Sequence, residues 1–327
     1  MPPQIAPVAL ASIQQPVKQE LDAVFEELAR AIETDFSLIA DVNAHLLQIR
    51  GKMFRPTLVL LSAQAADAVT DRHVRLAAAV ELIHLATLIH DDSVDHSVLR
   101  RGQPTVNALF SHQKAVIMGD YLYSRAIIQL VDLDALEPLR VMSRVTNEMT
   151  VGEMREIEAH DGLDFTEEDY DCLINAKTAS LISGACEVGA LDHEHRDTFR
   201  RFGRSLGMAF QIVDDLLDYT GSEDVTGKPA GLDLREHKIT LPLIAAIPNM
   251  DPGERTIAED LMATATPTDA QIHEVITIVE ERGGIEAAVA RASHFASEAE
   301  AELDRIPVSR ARDVLRDAVS YVVERRS

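Results

Sequence analysis

Apolar residues recur at helical spacing along almost the whole chain. In the segment VKQELDAVFEELARAI, residues 17–32, one stripe is formed by Leu21, Val24, Phe25, Leu28 and Ile32. The segment RLAAAVELIHLATLIH, residues 75–90, is apolar around nearly its full circumference, which is typical of a helix buried among other helices. The pattern therefore predicts a buried helix that starts near residue 76 and continues towards residue 97.

The same spacing predicts further helices and no strands. Pro56 opens the run PTLVLLSAQAADAV, where a proline in the first helical turn is tolerated. Thr166 and Asp169 form a capping box ahead of another helix. No alternating strand pattern or hairpin signal is found, and residues 1–16, with four of the 13 prolines, are expected to form an irregular lead-in. The other predicted helices span 115–131, 139–160, 167–191, 195–220, 235–247, 254–263, 270–282, 285–303 and 309–325. The prediction is a single all-α domain over residues 17–327.

Composition and charge narrow the possible partners. The 327 residues are 46% hydrophobic, which is enough for one large core, and the net charge of -23 disfavours binding to nucleic acid or to an anionic membrane surface. No signal peptide and no run of roughly 18 apolar residues is found, so no integral membrane segment is expected. Cys172 and Cys186 are expected to be reduced core thiols of a cytoplasmic protein. An anionic ligand would have to be bound by local cations or through metal ions.

Two aspartate triplets follow strongly apolar turns. Both have the spacing i, i+1, i+4, which places three carboxylates on one helical turn. Without a cation these groups would repel one another, and hard carboxylate oxygens suit Mg²⁺, which usually takes one or two carboxylates together with substrate phosphate. Acidic residues are 54 of 327, so either triplet alone could equally be a solvated helix face. The triplets are Asp91, Asp92 and Asp95, and Asp214, Asp215 and Asp218.

Basic residues flank these apolar helices at several points. Arg100 and Arg101 follow the first triplet, and Lys228 and Lys238 follow the second. Lys52, Arg55 and Lys177 complete the set. Taken singly, each of these basic residues is as well explained by a solvated surface charge. Together with metal-binding aspartates they suggest a site for two polyanions, one held through Mg²⁺ and the other held directly by Lys and Arg. The surrounding apolar helices suggest that a diphosphate with an oily tail is bound.

Six ordered motifs resemble those of the trans-isoprenyl diphosphate synthase family, the polyprenyl synthetases. They are GKMFRP, ELIHLATLIHDDSVDHSVLRRG, MGDYLYSRA, KTASLISGA, FQIVDDLLDY and TGKPAGLDLREHKITLPL. The resemblance implies an all-α isoprenoid synthase bundle around a deep central cavity, usually as a homodimer. It also implies head-to-tail condensation of isopentenyl diphosphate with an allylic diphosphate, which could be geranyl, farnesyl or geranylgeranyl diphosphate. Two or three Mg²⁺ ions per active site are implied as cofactors.

The resemblance also assigns roles to individual residues. The six aspartates of the two triplets match the metal-binding motifs. Arg100, Lys177 and Lys228 match ligands of the allylic diphosphate, with Lys238 as a further candidate. The isopentenyl diphosphate site is matched by Lys52, Arg55, His84 and Arg101, and Thr178 and Gln211 match polar groups near the developing carbocation. His84 alone would otherwise be interpreted as a packed core histidine.

Product length is predicted from the residues that precede the first triplet. Thr87 and Ala86 lie four and five residues before Asp91, roughly 6–7.5 Å deeper on a regular helix, and both are small, which favours a long product of about six to ten isoprene units. The motif ELIHLATLIHDD also resembles long-chain synthases that make quinone side chains. The alternatives are a geranylgeranyl or farnesyl diphosphate synthase, a class I terpene cyclase, and a non-catalytic subunit of a heteromeric synthase.

Overall fold

The computed structural model describes residues 8–48, 51–100, 102–158, 163–221 and 231–324. Within these ranges the chain is almost wholly helical, which confirms the predicted fold class. The helices are α1 (Leu10–Gln14), α2 (Lys18–Ala31), α3 (Ser37–Gln48), α4 (Phe54–Ala66), α5 (Asp71–Val94), α6 (Val106–Leu109), α7 (His112–Val131), α8 (Leu136–Glu158), α9 (Glu167–Ile174), α10 (Ser180–Gly189), α11 (Arg196–Thr220), α12 (Leu232–Arg235), α13 (Leu241–Ala246), α14 (Pro252–Ala263), α15 (Asp269–Glu281), α16 (Gly284–Leu303) and α17 (Arg310–Glu324). A π-helical turn (Asn175–Ala179) joins α9 to α10.

The second half of the lead-in is not irregular, so that part of the prediction for residues 1–16 is wrong. Helix α1 is followed by a 3₁₀ turn, Gln15–Val17, and Pro16 lies in the first residues of that turn, where its missing N–H is tolerated. Ile13 and Val17 are fully buried in the main core. The side chain of Gln14 also donates to the backbone oxygen of Lys52 at 2.8 Å, which links α1 to the start of α4.

Further regions differ from the predictions, among them the short helix α6, which was not predicted. Helix α3 was missed because few of its side chains are buried, which weakens its apolar stripe. The segment predicted as one helix, 235–247, is divided between α12 and α13 by a turn in which His237 has a φ of 59°. A short antiparallel ribbon, β1 (Leu99–Arg100) and β2 (Gln103–Pro104), was not predicted at all, since two residues per strand are too few to show an alternating pattern.

The core has two apolar clusters that α11 connects. Every residue of α10 is buried, and α10 packs with α4, α5 and α8 in the larger cluster. The N-terminal half of α11 joins this cluster through Phe199, Phe202 and Leu206, whereas its C-terminal half joins the second cluster, with α13 to α16. This arrangement fixes the end of α11 that carries the second aspartate triplet.

No helix in the described part of the chain is long and apolar enough to span a membrane. The two cysteines are unpaired, as expected, but only Cys186 is buried; Cys172 is exposed on α9, so the prediction of two core thiols is half wrong.

Candidate active site

A cavity of about 1990 Å³ brings the predicted site residues together from distant parts of the sequence. All those that fall within the described ranges line it: Lys52, Arg55, His84, Ala86, Thr87, Asp91, Asp92, Asp95, Arg100, Lys177, Thr178, Gln211, Asp214, Asp215, Asp218 and Lys238. Arg101 and Lys228, which the sequence also assigned to the site, lie outside the described residues. Both aspartate triplets therefore line one cavity, as the family resemblance implied.

The first triplet lies where α5 ends. Asp92 is buried, and the Nε atom of Arg100 donates to both of its carboxylate oxygens at 2.9 Å. Arg100 reaches this position because β1 turns back beside the end of α5, where the backbone N–H of Ser97 also donates to the Asp92 carbonyl at 3.0 Å. Burial raises the pKa of Asp91 to about 7, and the nearby cation Lys177 opposes this rise only in part.

The second triplet is held by a chain of hydrogen bonds within α11 and its neighbours. The hydroxyl of Thr178 donates to Gln211 Oε1 at 2.7 Å, and Gln211 Nε2 donates to Asp215 Oδ1 at 2.7 Å. Tyr170 donates its phenolic proton to the other oxygen of Asp215 at 2.5 Å. Burial raises the pKa of Asp215 to about 7, although these two donors lower it.

Asp218 and Asp214 have different surroundings. The carboxylate of Asp218 accepts the backbone N–H groups of Leu232 and Asp233 at 3.1 and 3.0 Å, so it fixes the start of α12. Asp214 is exposed towards the cavity. The second triplet thus combines one buried carboxylate, one that caps the start of a helix and one that is exposed.

Lys177 is paired with two glutamates that the sequence analysis missed. Its Nζ atom lies 2.9 Å from Glu153 Oε2 and forms a second ion pair with Glu156. Burial alone would lower the pKa of Lys177, but Glu156, Asp91 and Glu153 raise it above its ordinary value. The signal was present in the sequence, because two acids three residues apart on the predicted helix 139–160 share a face.

The π-helical turn brings Lys177 and Thr178 to the cavity. A π turn inserts one extra residue into the helical winding, and such turns occur frequently at functional sites. α8 passes this turn closely: a Cβ atom at Gly152 would lie 3.1 Å from the backbone nitrogen of Lys177. On the other side, a Cβ atom at Gly207 would lie 2.6 Å from the Cα atom of Ala179. Two glycines therefore allow α8 and α11 to hold the turn from both sides.

Lys238 lies beside the first triplet, in the part of the cavity that holds the aspartates and the cations and is here called the charged mouth. Its Nζ atom lies 2.9 Å from Glu236 Oε2 and 3.5 Å from Asp95 Oδ2. Burial alone would lower the pKa of Lys238, but Glu236 and Asp95 raise it above its ordinary value. Arg100, Lys177 and Lys238 are therefore all neutralised by carboxylates of the chain.

The residues assigned to isopentenyl diphosphate lie beside the first triplet. Arg55 Nη1 lies 2.9 Å from His84 Nε2. Because a guanidinium group can only donate, His84 accepts through Nε2 and is neutral in this pair. Lys52 is exposed, and a smaller pocket lined by Lys52, Arg55 and His84 adjoins the main cavity. This arrangement joins three polar groups near the mouth that could bind a second anion.

The six aspartates offer an all-oxygen donor set that suits Mg²⁺. All six line the cavity, and several already have partners within the protein: Asp92, Asp215 and Asp218 are hydrogen-bonded, and Asp95 is ion-paired with Lys238. Among the residues that the structure describes, no three acidic, His or Cys side chains already surround one point closely enough to hold an ion. The donor chemistry fits magnesium, and substrate phosphate oxygens would be needed to complete its coordination.

Comparisons with known proteins agree with this geometry. A model of the polyprenyl synthetase family matches residues 36–279. The chain is 38% identical over 317 residues to the all-trans-nonaprenyl-diphosphate synthase (geranyl-diphosphate specific) of Rhodobacter capsulatus, covering 96% of this chain and 97% of that protein. It is 35% identical over 314 residues to heptaprenyl diphosphate synthase component 2 of Geobacillus stearothermophilus, covering 94% of this chain and 97% of that protein.

A solved structure extends the similarity to the fold. The crystal structure of a polyprenyl synthase from Caulobacter crescentus, complexed with calcium and isoprenyl diphosphate, superposes with a TM-score of 0.93 at 31% identity. The superposition covers 99% of this chain and all of that chain. The similarity in sequence and structure therefore extends over nearly the full length of both proteins.

Proposed function

The chain belongs to the polyprenyl synthetase family, and we propose that it condenses isopentenyl diphosphate head to tail with an allylic diphosphate. The product is an all-trans polyprenyl diphosphate of about six to ten isoprene units, which fits the nonaprenyl and heptaprenyl names of its relatives. The observation that carries this proposal is the single cavity: two aspartate triplets more than a hundred residues apart line it together with Lys177 and Lys238.

The allylic diphosphate binds at the charged mouth in this proposal. The six aspartates of the two triplets would hold two or three Mg²⁺ ions, and Lys177 and Arg100 would contact the phosphate oxygens directly. Bound magnesium supplies positive charge against the negative charge that develops on the departing diphosphate. Lys177 adds to this charge from a fixed position, because its ion pairs with α8 keep it ionised. Lys228 and Arg101 stay predictions from the sequence alone.

The allylic cation that forms needs a dry, weakly polar environment. The cavity below the mouth is lined by Ile83, Ala86 and Thr87, so water is displaced there once a prenyl tail fills the space. Gln211 and Thr178 present side-chain dipoles between this apolar region and Asp215. Lys52, Arg55 and His84 hold isopentenyl diphosphate beside the cation, and proximity supplies much of the rate advantage. No side chain is assigned as the base for the final proton loss.

We also infer that two copies of the chain associate. Large apolar side chains are exposed on α7 and α8: Ile117, Ile128 and Val131 on α7, and Val151, Met154 and Ile157 on α8. Exposed apolar surface on two adjacent helices is typical of a protein interface. A second copy is the expected partner, as the sequence resemblance implies a homodimer. Sedimentation equilibrium should therefore give twice the mass of the chain. Separately, we expect the protein to be located in the cytoplasm.

The test is an activity assay of the purified chain alone. Farnesyl diphosphate and labelled isopentenyl diphosphate are supplied with Mg²⁺, and the dephosphorylated products are separated by reversed-phase chromatography. We expect a ladder that ends at about six to ten units, complete loss of incorporation with EDTA, and loss by orders of magnitude in Asp91→Ala. Asp41→Ala, at an exposed site on α3, serves as the matched control.

The outcomes distinguish the alternatives. A product that stops at three or four units indicates a farnesyl or geranylgeranyl diphosphate synthase. A cyclised hydrocarbon made without isopentenyl diphosphate indicates a terpene cyclase. No incorporation by the purified dimer, restored by a partner protein, indicates a subunit of a heteromeric synthase. Incorporation that is indifferent to chelation contradicts the metal assignment.

A further inference from the structure

The turn that carries Lys52 and Arg55 has a strained backbone. Met53, which lies between them, has a φ of 50°, in the left-handed region. A residue with a side chain takes this conformation at a cost in free energy and keeps it only where its surroundings fix it. Lys52 and Arg55 both line the main cavity and the smaller pocket beside it. The directions in which these two cations point therefore depend on how firmly the turn is held.

The side-chain amide of Gln14, on α1, holds this turn from outside α4. Gln14 Nε2 donates to the backbone oxygen of Lys52 at 2.8 Å and to Thr57 Oγ1 at 3.2 Å. The hydroxyl of Thr57, which is fully buried, in turn donates to the backbone oxygen of Met53 at 2.7 Å. The carbonyls of the two peptide groups on either side of the Met53 Cα atom are therefore both held by one chain of hydrogen bonds that begins at Gln14.

The segment around α1 is fixed to α17 at both of its ends. Before α1, the backbone N–H of Val8 donates to Glu324 Oε2 at 3.2 Å. After α1, Gln15 Oε1 accepts from Arg310 Nη2 at 3.3 Å, and Ile13 between these contacts is fully buried in the main core. Helix α17 itself packs against α4. The segment therefore presents its side chains to the start of α4 from a fixed position.

We propose that Gln14 is a positioning residue for isopentenyl diphosphate, because it fixes the turn at Met53 so that Lys52 and Arg55 bind the same anion. This inference rests on the proposed function, in which these two cations hold that substrate. Gln14 is not among the described residues that line the cavity, so it acts through the turn. If the turn also takes other conformations, only the fraction of molecules with both cations in place binds well, and the apparent affinity falls by that fraction.

The experiment replaces the amide of Gln14 by an apolar group of similar length, in Gln14→Met. The bond to Lys52 lies near the surface, so water can take the place of the amide and the fold is kept. A second variant, Thr57→Val, breaks the same chain of hydrogen bonds from within α4 with little change in shape. The matched control is Gln15→Met, because Gln15 is the next residue and its side chain is hydrogen-bonded to Arg310 on α17. Initial rates with Mg²⁺ give kcat and the KM values for isopentenyl diphosphate and farnesyl diphosphate.

Gln14→Met should raise the KM for isopentenyl diphosphate by about two- to tenfold, the equivalent of one hydrogen bond, while kcat and the KM for farnesyl diphosphate change little. Thr57→Val should have the same selective effect. The double variant should raise this KM by less than the product of the two single effects, because both substitutions act on one chain of hydrogen bonds. Gln15→Met should match the wild type.

An unchanged KM for isopentenyl diphosphate in both variants overturns this inference. An equal rise in the KM values of both substrates also overturns it, since that result reflects a general loss of structure. If urea unfolding shows that Gln14→Met does not fold, Thr57→Val decides the question by the same comparison of KM values. A wild-type chain that incorporates no isopentenyl diphosphate overturns the proposed function instead.

Discussion

Asp91 is expected to destabilise the folded chain in the absence of metal, and its charge can be removed by Asp91→Asn. Burial is the largest cause that raises the pKa of Asp91 from its ordinary value of 3.8 to about 7. The cations Lys177 and Arg100 lower it, while Glu153 and Asp95 raise it further. Asparagine has nearly the same size as aspartate, so the substitution changes the charge with little change in packing.

The size of the effect follows from the two pKa values. The unfolded chain releases this proton near pH 3.8 and the folded chain near pH 7, so the wild type loses stability as the pH rises through this interval. Each unit of pKa difference corresponds to about 1.4 kcal/mol. The stabilisation by Asp91→Asn should therefore be about 2 kcal/mol near pH 5.5 and about 4 kcal/mol near pH 8, as upper values. The increase between the two conditions, about 2 kcal/mol, is the diagnostic quantity.

Urea unfolding in EDTA, followed by circular dichroism at both pH values, measures this difference. Asp41→Asn is the control, because Asp41 is exposed on α3 and should leave the pH dependence of unfolding unchanged. Added Mg²⁺ should stabilise the wild type more than the variant, since Asp91 is a proposed ligand. A gain that is equal at the two pH values, or no gain at all, would refute the conclusion that the buried charge of Asp91 opposes folding.

Three other predictions test the cavity and its supports. Ala86→Phe should shorten the product on reversed-phase chromatography, because Ala86 is buried in the wall of the cavity; an unchanged ladder would show that the tail does not pass it. Gly207→Ala should lower the free energy of unfolding in urea by about 1–3 kcal/mol, because its Cβ atom would lie 2.6 Å from the Cα atom of Ala179; full stability would mean that α11 can shift freely. Iodoacetamide near pH 8 should label exposed Cys172 quickly and Cys186 only after unfolding, since burial raises the pKa of the Cys186 thiol to about 12; equal labelling rates by mass spectrometry would contradict its burial.

Much of the site could be predicted because its chemistry is concentrated in short motifs. The aspartate triplets needed only the geometry of one helical turn, and the structure places both on the same cavity. Their partners could not be predicted in the same way. Asp215 is hydrogen-bonded by Tyr170, 45 residues away in the sequence, and Lys177 is held by Glu153 on another helix. Such pairs depend on how helices pack, which apolar spacing within each helix does not specify.

The fold was predicted best where helices are buried and long. α11 was predicted nearly to its ends, whereas α5 begins five residues and ends three residues earlier than the predicted range 76–97. α3 lies on the surface with few buried side chains, so its periodicity is weak. The ribbon of β1 and β2 places Arg100 beside Asp92, a tertiary contact that no local pattern in the sequence records.

The cations at the mouth already form ion pairs with carboxylates of the chain, and this has a consequence for which anions can bind. A bare anion such as sulfate would have to compete with a tethered carboxylate for Arg100, for Lys177 and for Lys238, and it would leave each displaced acid without a counter-ion. A diphosphate that arrives with divalent cations brings the compensating charge with it. We therefore expect a diphosphate accompanied by divalent cations to bind at the mouth more readily than a simple phosphate does.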